Sequence, residues 1–485
     1  MHNNIAIELL KTFSKEEYKK FELFINSPFF NSNNTIVRLY SIIKKYAPDF
    51  THKSLEREAI FKKIFPGKEY NELSLRSRFS ELSDLLRRYM SIVQLEQNQF
   101  EMKFNFSKQM NSRGKYKIAE KTLLELINEN MNNEAAGPPV YLQRAELVNE
   151  LMASYRADEY GKDSSAKLIE LGDALINYFY GYFFQIANDM LYNEEIFKYK
   201  PDFNIVKEYV NAFDFDKFLS RLEKFKYGNQ PVLEIYYRMY MSRLDKENPE
   251  HFYRLKELTF IHYEKFDRVG LFNLWVFLSN AVTANLQFID TKFNYEIFEV
   301  NKFFVNLKLL PLYPGGYFFQ STFDNIFINA IYCKEISYAE NFVKNNIDLL
   351  PPDLKENMQF YCSAIIELKK ENYQKSLHYL SRLKLNDIVL KTRVRIYYFI
   401  NYYETDAVES ALSLVDSFKN FLRSNKKIPD YLMQRVQSSL RYCEYLINAK
   451  ANGKKLDYTI YKEAKENKSG YWSKEWILEK MQELL

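Results

Sequence analysis

The residues with intrinsic chemistry are few and scattered. Five histidines (His2, His52, His251, His262 and His378) and three cysteines (Cys333, Cys362 and Cys443) are spread over 485 residues. An imidazole or thiolate becomes a metal ligand, general base or nucleophile when the chain sets it beside a second such group or a carboxylate. No HExxH or CxxC occurs. His251 and His262 lie about three helical turns apart and can share a helix face. Two ordinary half-buried imidazoles account for that spacing equally well. The glycine-dependent motifs GxxxxGK(S/T), GxGxxG and GxSxG are missing too. The sequence therefore predicts no enzyme, no metal site and no cofactor.

Arginine chemistry is the alternative. Residues 54–90 read as a short helix, a Pro66-Gly67 turn and a long helix carrying Arg76, Arg78, Arg87 and Arg88, with Lys62 and Lys63 just before the turn. A basic helix after a turn is the layout of a nucleic-acid reader. Against it, Arg78, Glu81, Asp84 and Arg88 follow one another at helical-turn spacing, so they can pair along one solvated face. No strand-like wing follows. A net charge of +5 and a pI of about 8.6 fall short of a dedicated nucleic-acid-binding domain.

The elements that must position these side chains are helices. Gly 12 and Pro 13 in 485 residues are together well under half the typical ~12%. Turn chemistry is scarce, and an all-α protein is expected. In residues 1–100, Ser14 and Glu17 make a capping box. Tyr18, Phe21 and Ile25 follow as an apolar stripe, and Ser27-Pro28 ends that helix. Further helices are expected over 34–46 and 54–65. Asn71 caps a long one over 72–95, on which Leu75, Phe79, Leu82, Leu86, Tyr89 and Val93 form one seam for a packed neighbour. The high aromatic content, Tyr 39 and Phe 40, is assigned mainly to packing between helices. Three widely spaced cysteines suit a reducing compartment rather than a disulfide framework. The start, MHNNIAIELLKTFSKEEYKK, has no basic n-region or cleavage site, and no apolar run is long enough to span a bilayer. The cytoplasm is the expected location.

Residues 360–387, FYCSAIIELKKENYQKSLHYLSRLKLND, predict two antiparallel helices joined at Glu371-Asn372-Tyr373. Ala364 and Ser376 sit where the helices must touch, with Phe360, Tyr373, Leu380 and Leu383 around them. The pattern recurs. Ala339 and Ala411 take the place of Ser376 at a period near 34 residues. Gly114, Tyr116, Ala119, Leu123 and Leu126 are in step with Glu371, Tyr373, Ser376, Leu380 and Leu383. Residues 132–139 (NNEAAGPP), 226–231 and 311–316 (PLYPGG) are the clear breaks. The expected organisation is an N-terminal helical module (1–100), degenerate helical repeats (101–310) and clearer repeats (311–485), whose last helix, 473–485, closes the stack.

By these residues the chain resembles the tetratricopeptide (TPR) superfamily, best over 318–425 and more weakly over 104–130, with Glu371 where that family usually has glycine. FINSPFFN (24–31), IFPGKEYNELSLRSRFSELSDLL (64–86) and FDNIFINAI (323–331) also look like a group of helical repeat proteins from Bacteroidetes-type bacteria. That second resemblance spans most of the chain and brings no activity with it. The TPR-like resemblance implies a right-handed α-solenoid of helical hairpins. It also implies a non-catalytic scaffold or adaptor that holds a peptide or helix along the first helix of each unit. It places Asn325 and Ile328, then Tyr361, Ile365 and Lys369, then Arg393, Ile400 and Tyr403 on that groove face. The family's clamp for a C-terminal carboxylate is matched only in residue type by Asn325 and Arg393, and the asparagine expected beside Ile365 is missing. The aliphatic and aromatic candidates point to an apolar protein partner, such as an amphipathic helix. The bland reading is that Ile365 and Ile400 are packed by the next helix. The alternative function is a nucleic-acid-associated regulator using residues 54–90.

Overall fold

The computed structural model describes residues 4–132, 137–155, 162–197, 199, 201–282, 292–313, 315–384, 388–425, 430–467 and 470–485. His2, residues 133–136 of the first break and Pro314 of the last lie outside them. The chain is all-α, 79% helical, with no strand among the described residues. It divides into two compact units. The first comprises Met1–Asn132 and Arg144–Leu171, and the second Asn133–Gln143 and Gly172–Leu485.

In the first unit the local signals operate as written. Ser14 Oγ accepts from the Glu17 N–H (3.2 Å), and the Glu17 carboxylate accepts from the Ser14 N–H (2.7 Å). Two donors orphaned at the start of Lys15–Asn26 are thereby satisfied. That helix buries Tyr18, Phe21 and Ile25 and stops at Ser27. Asn33 caps Asn34–Lys44. The helix expected over 54–65 is shorter, Arg57–Ile64, because Glu56 breaks it from the turn Lys53–Leu55 with ψ near 142°. Asn71 accepts from the Ser74 N–H (2.9 Å) and starts Glu72–Gln97. Along its seam Leu75, Phe79, Leu82, Leu86 and Tyr89 are buried, while Val93 is partly so. A second core of this unit forms between Gln99–Ser112 and Tyr116–Met131, where Ala119, Leu123 and Leu126 meet Leu147 and Leu151.

The second unit has one continuous core from Tyr141 to Met481. Polar groups inside it are paired across helices. Glu234 is 5% exposed and accepts from Arg254 (Nε and Nη2, both 2.9 Å) and from Gln230 (2.9 Å). Burial alone would raise this carboxyl, but the Arg254 guanidinium outweighs it and the pKa is lowered. Trp275 Nε1 donates to Asn301 (2.8 Å), Asn301 to Asn329 (2.9 Å), and Asn329 to the Asn294 carbonyl (3.0 Å). This relay ties Arg268–Ala281, Lys292–Asn306 and Gln320–Tyr332 in register, since slipping any one would strand a buried amide.

Candidate partner-binding face

Pro352–Lys369 and Tyr373–Ser381 pair about a tight turn at Glu371. Glu371 is left-handed (φ 61°). The Asn372 N–H reaches back to the Glu367 carbonyl (2.8 Å) and the Glu371 N–H to that of Leu368 (3.1 Å), the bonding of a Schellman-type helix end. The same turn recurs at Gly114 (φ 70°), Lys334 (61°) and Asp406 (54°). At each, the next N–H bonds back into the finished helix: Lys115 to Met110 (2.8 Å), Glu335 to Ala330 (3.0 Å) and Ala407 to Tyr402 (2.9 Å). The small residue at constant offset after each turn, Ala119, Ala339, Ser376 or Ala411, is fully buried. Close helix approach leaves no room there for a larger side chain. Ser376 also accepts from Asn401 Nδ2 (3.0 Å) on the helix Ile388–Glu404.

The helices Gln320–Tyr332, Pro352–Lys369 and Ile388–Glu404 share one charged cluster. Arg393 Nη1 donates to Asp324 Oδ2 (2.6 Å) and to the Tyr361 hydroxyl (3.0 Å). Both charged side chains are nearly buried, at 13% and 12% exposure. Burial disfavours the Arg393 cation, but the Asp324 carboxylate outweighs that and holds its pKa well above the ordinary value. Burial pushes the Tyr361 phenol well up. The guanidinium thus stays charged beside a phenol that stays protonated.

The C-terminal segment lies against this same face. Trp472 is stacked 5.8 Å from the Arg393 guanidinium. Lys474–Glu483 follows, anchored on one side by Ile477 and Met481, both fully buried. Its other side carries Trp476, whose Nε1 donates to Glu404 Oε1 (2.6 Å). The Trp476 ring stands edge-on to Tyr403 (5.3 Å) and Phe399 (6.2 Å). Lys480 sits 3.4 Å from the same Glu404 oxygen. An aromatic ring and a cation one helical turn apart thus meet two aromatic rings and a carboxylate.

The eight residues expected along the groove divide accordingly. Ile328, Tyr361, Ile365, Ile400 and Tyr403 are buried. Arg393 is nearly so, and Asn325 and Lys369 are exposed. Tyr403 and Arg393 touch the C-terminal segment directly. Glu404, the carboxylate that organises the contact, is missing from the sequence-based set. The Trp476/Lys480 spacing on the last helix was the signal that could have found it.

On the basic helix Glu72–Gln97, Arg76 pairs with Glu72 (2.8 Å), Arg78 with Glu81 (2.9 Å) and Arg87 with Asp84 (2.9 Å), while Arg88 stacks on Phe30 (5.0 Å). Lys62 and Lys63 are exposed. A shallow cleft of about 670 Å³ beside this helix is lined by Arg57, Arg76 and Arg87 with Glu72 and Ser80. Arg57 is also paired with Glu72.

Among the described residues no three His, Cys, Asp or Glu side chains converge as a metal-ligand set. His251 contacts Arg238 (3.2 Å), and burial together with that cation lowers its pKa. The three cysteines are buried and free, and burial pushes the Cys333 thiol up to about 12. Comparison with protein-family models, with curated proteins and with solved structures returned no match. Among the described residues no helix is long and apolar enough to cross a membrane.

Proposed function

We propose that this chain is a non-catalytic scaffold or adaptor of the bacterial cytoplasm, built as a right-handed, TPR-like solenoid that receives a protein partner's helix on the inner face of its C-terminal repeats. The repeated left-handed turn followed by a buried small residue supports the repeat reading. The single observation that carries the functional reading is the chain's own helix Lys474–Glu483 lying on Phe399, Tyr403 and Glu404. That face has the chemistry to accept an amphipathic helix, because one is seated there. Asn325 and Lys369, exposed beside the covered residues, are the positions from which an incoming partner extends. The nucleic-acid reading is weaker, because each arginine of the long basic helix already has an acidic or aromatic neighbour.

Site-specific photo-crosslinking in the native host tests this. A crosslinker at Asn325 or Lys369 is expected to trap one protein, competed by a synthetic peptide of residues 471–485. The same crosslinker at exposed His378 is expected to trap nothing comparable. Equal capture at all three positions, or capture of nucleic acid, would reject the reading. Heparin chromatography separates the two classes: retention that falls steeply with salt marks phosphate contacts, and an apolar helix groove hardly responds.

A further inference from the structure

The helices Gln230–Leu244 and Pro249–His262 pack as a pair, and the His251 imidazole, 11% exposed, stands between them. His251 is the third residue of its helix, which Asn248 caps by accepting from the Glu250 N–H (3.1 Å). Arg238 of the other helix brings Nη1 to 3.2 Å from His251 Nδ1. A guanidinium has donors only and keeps its charge, so Nδ1 accepts. The proton of the neutral ring is thereby assigned to Nε2, on the side of Asp245 Oδ2 (3.7 Å). Arg238 is held in place on its other sides. Its Nη2 donates to Asp216 Oδ1 (3.0 Å), its Nε lies 3.4 Å from Glu234 Oε1, and its guanidinium lies over the Tyr237 ring (5.0 Å).

We infer that His251 is a pH-sensitive lock on this helix pair: neutral, it ties Pro249–His262 to Arg238, and protonated, it loosens the pair. Protonation works against the arrangement in three ways. It fills the Nδ1 lone pair that Arg238 uses. It sets a second cation 3.2 Å from the guanidinium. It also puts that cation in the first turn of a helix, where the partial charge is already positive. The nearby carboxylates are weaker counterweights. Asp245 is 49% exposed. Asp216 is committed to Arg238 and to the Tyr237 hydroxyl (2.7 Å), and Glu234 to Arg254. Glu250, the preceding residue, is exposed. Burial and Arg238 accordingly hold the imidazole below its ordinary value. The unfolded chain takes up this proton more readily than the folded one. The contribution is therefore complete above the unfolded value of about 6.5 and is lost as pH falls from there through the lower folded value.

NMR of the full chain carrying isotope-labelled histidine tests the inference, since long-range couplings report which ring nitrogen holds the proton. His251→Asn identifies the His251 signal by its loss. If that variant does not fold, substituting the remaining histidines in turn identifies the signal by elimination. The expected result is a neutral ring at about pH 7.5 with its proton on Nε2, titrating below ~6.5. A proton on Nδ1 at that pH, or a midpoint at or above ~6.5, would overturn the inference. Hydrogen exchange reads the loosening itself. His251→Asn offers Oδ1 in place of Nδ1 and does not titrate. Between about pH 7.5 and 5.5, the protection of residues 230–262, corrected for the intrinsic exchange rate, is expected to fall severalfold more in the natural chain than in the variant. Pro352–Lys369 is expected to respond alike in both. An equal or smaller fall over residues 230–262 in the natural chain would also overturn the inference.

Discussion

At the scale of single residues, Glu371 and Leu380 report on the hairpin most directly. Glu371 occupies left-handed backbone at φ 61°, a conformation glycine adopts without cost. Glu371→Gly is expected to leave the melting temperature unchanged or raise it slightly. In a continuous helix the same change would cost about 1 kcal/mol. Leu380 is 2% exposed, and Leu380→Asp is expected to cost several kcal/mol. Paired melting curves read both. Glu234 gives a pH signature. Its pKa is lowered in the folded state by Arg254 against the opposing effect of burial. Its contribution is therefore complete above the unfolded value of about 4.3 and is lost as pH falls through the lower folded value. Glu234→Gln is expected to cost about 1–3 kcal/mol at neutral pH and progressively less below pH ~4. Denaturant titrations across that range check the sign. Of these three residues, periodicity and turn pattern single out Glu371 and Leu380. Glu234 carries no local mark, because its partner Arg254 comes from another helix.

At the scale of elements, the C-terminal helix is held to Ile388–Glu404 through Trp476. Trp476→Ala removes two edge-on aromatic contacts and a hydrogen bond to a carboxylate, together about 2–4 kcal/mol. Hydrogen exchange over residues 471–485 is expected to accelerate strongly, while Pro352–Lys369 stays protected. Uniform acceleration through both segments would instead mean that the helix opens only when the helices packed beneath it do. The residue pattern marks this helix as amphipathic but does not mark the face it covers. Its apolar spacing shows that Lys474–Glu483 has two useful sides. It does not show that one is anchored by Ile477 and Met481 and the other meets Tyr403.

At the scale of the whole chain, a far-UV circular dichroism spectrum dominated by helix is expected, with no sheet signal, in line with 79% helix. A chelator is expected to change neither helicity nor melting temperature, because no set of metal ligands converges among the described residues. A fall of several degrees would point to ligands supplied by other parts of the chain. The near balance of charge, +5 over 485 residues, makes long-range steering toward polyanions weak. This agrees with the pairing of the arginines on Glu72–Gln97.

The sequence by itself determined what is local. Capping residues, helical period and the turn-plus-small-residue repeat act between neighbours within one turn or one hairpin, so the positions of Ser14, Asn71, Ala119 and Ser376 within their elements follow from residue order alone. Tertiary structure alone decided which apolar faces are covered. Side-chain period states that Tyr361, Ile365 and Tyr403 share faces of their helices, but not what lies against them. That depends on contacts between distant residues: Arg393 with Asp324 at a separation of 69, and Trp476 with Glu404 at 72. Burial is a property of the partner surface as much as of the helix, and chain-distant partners leave no mark in local spacing.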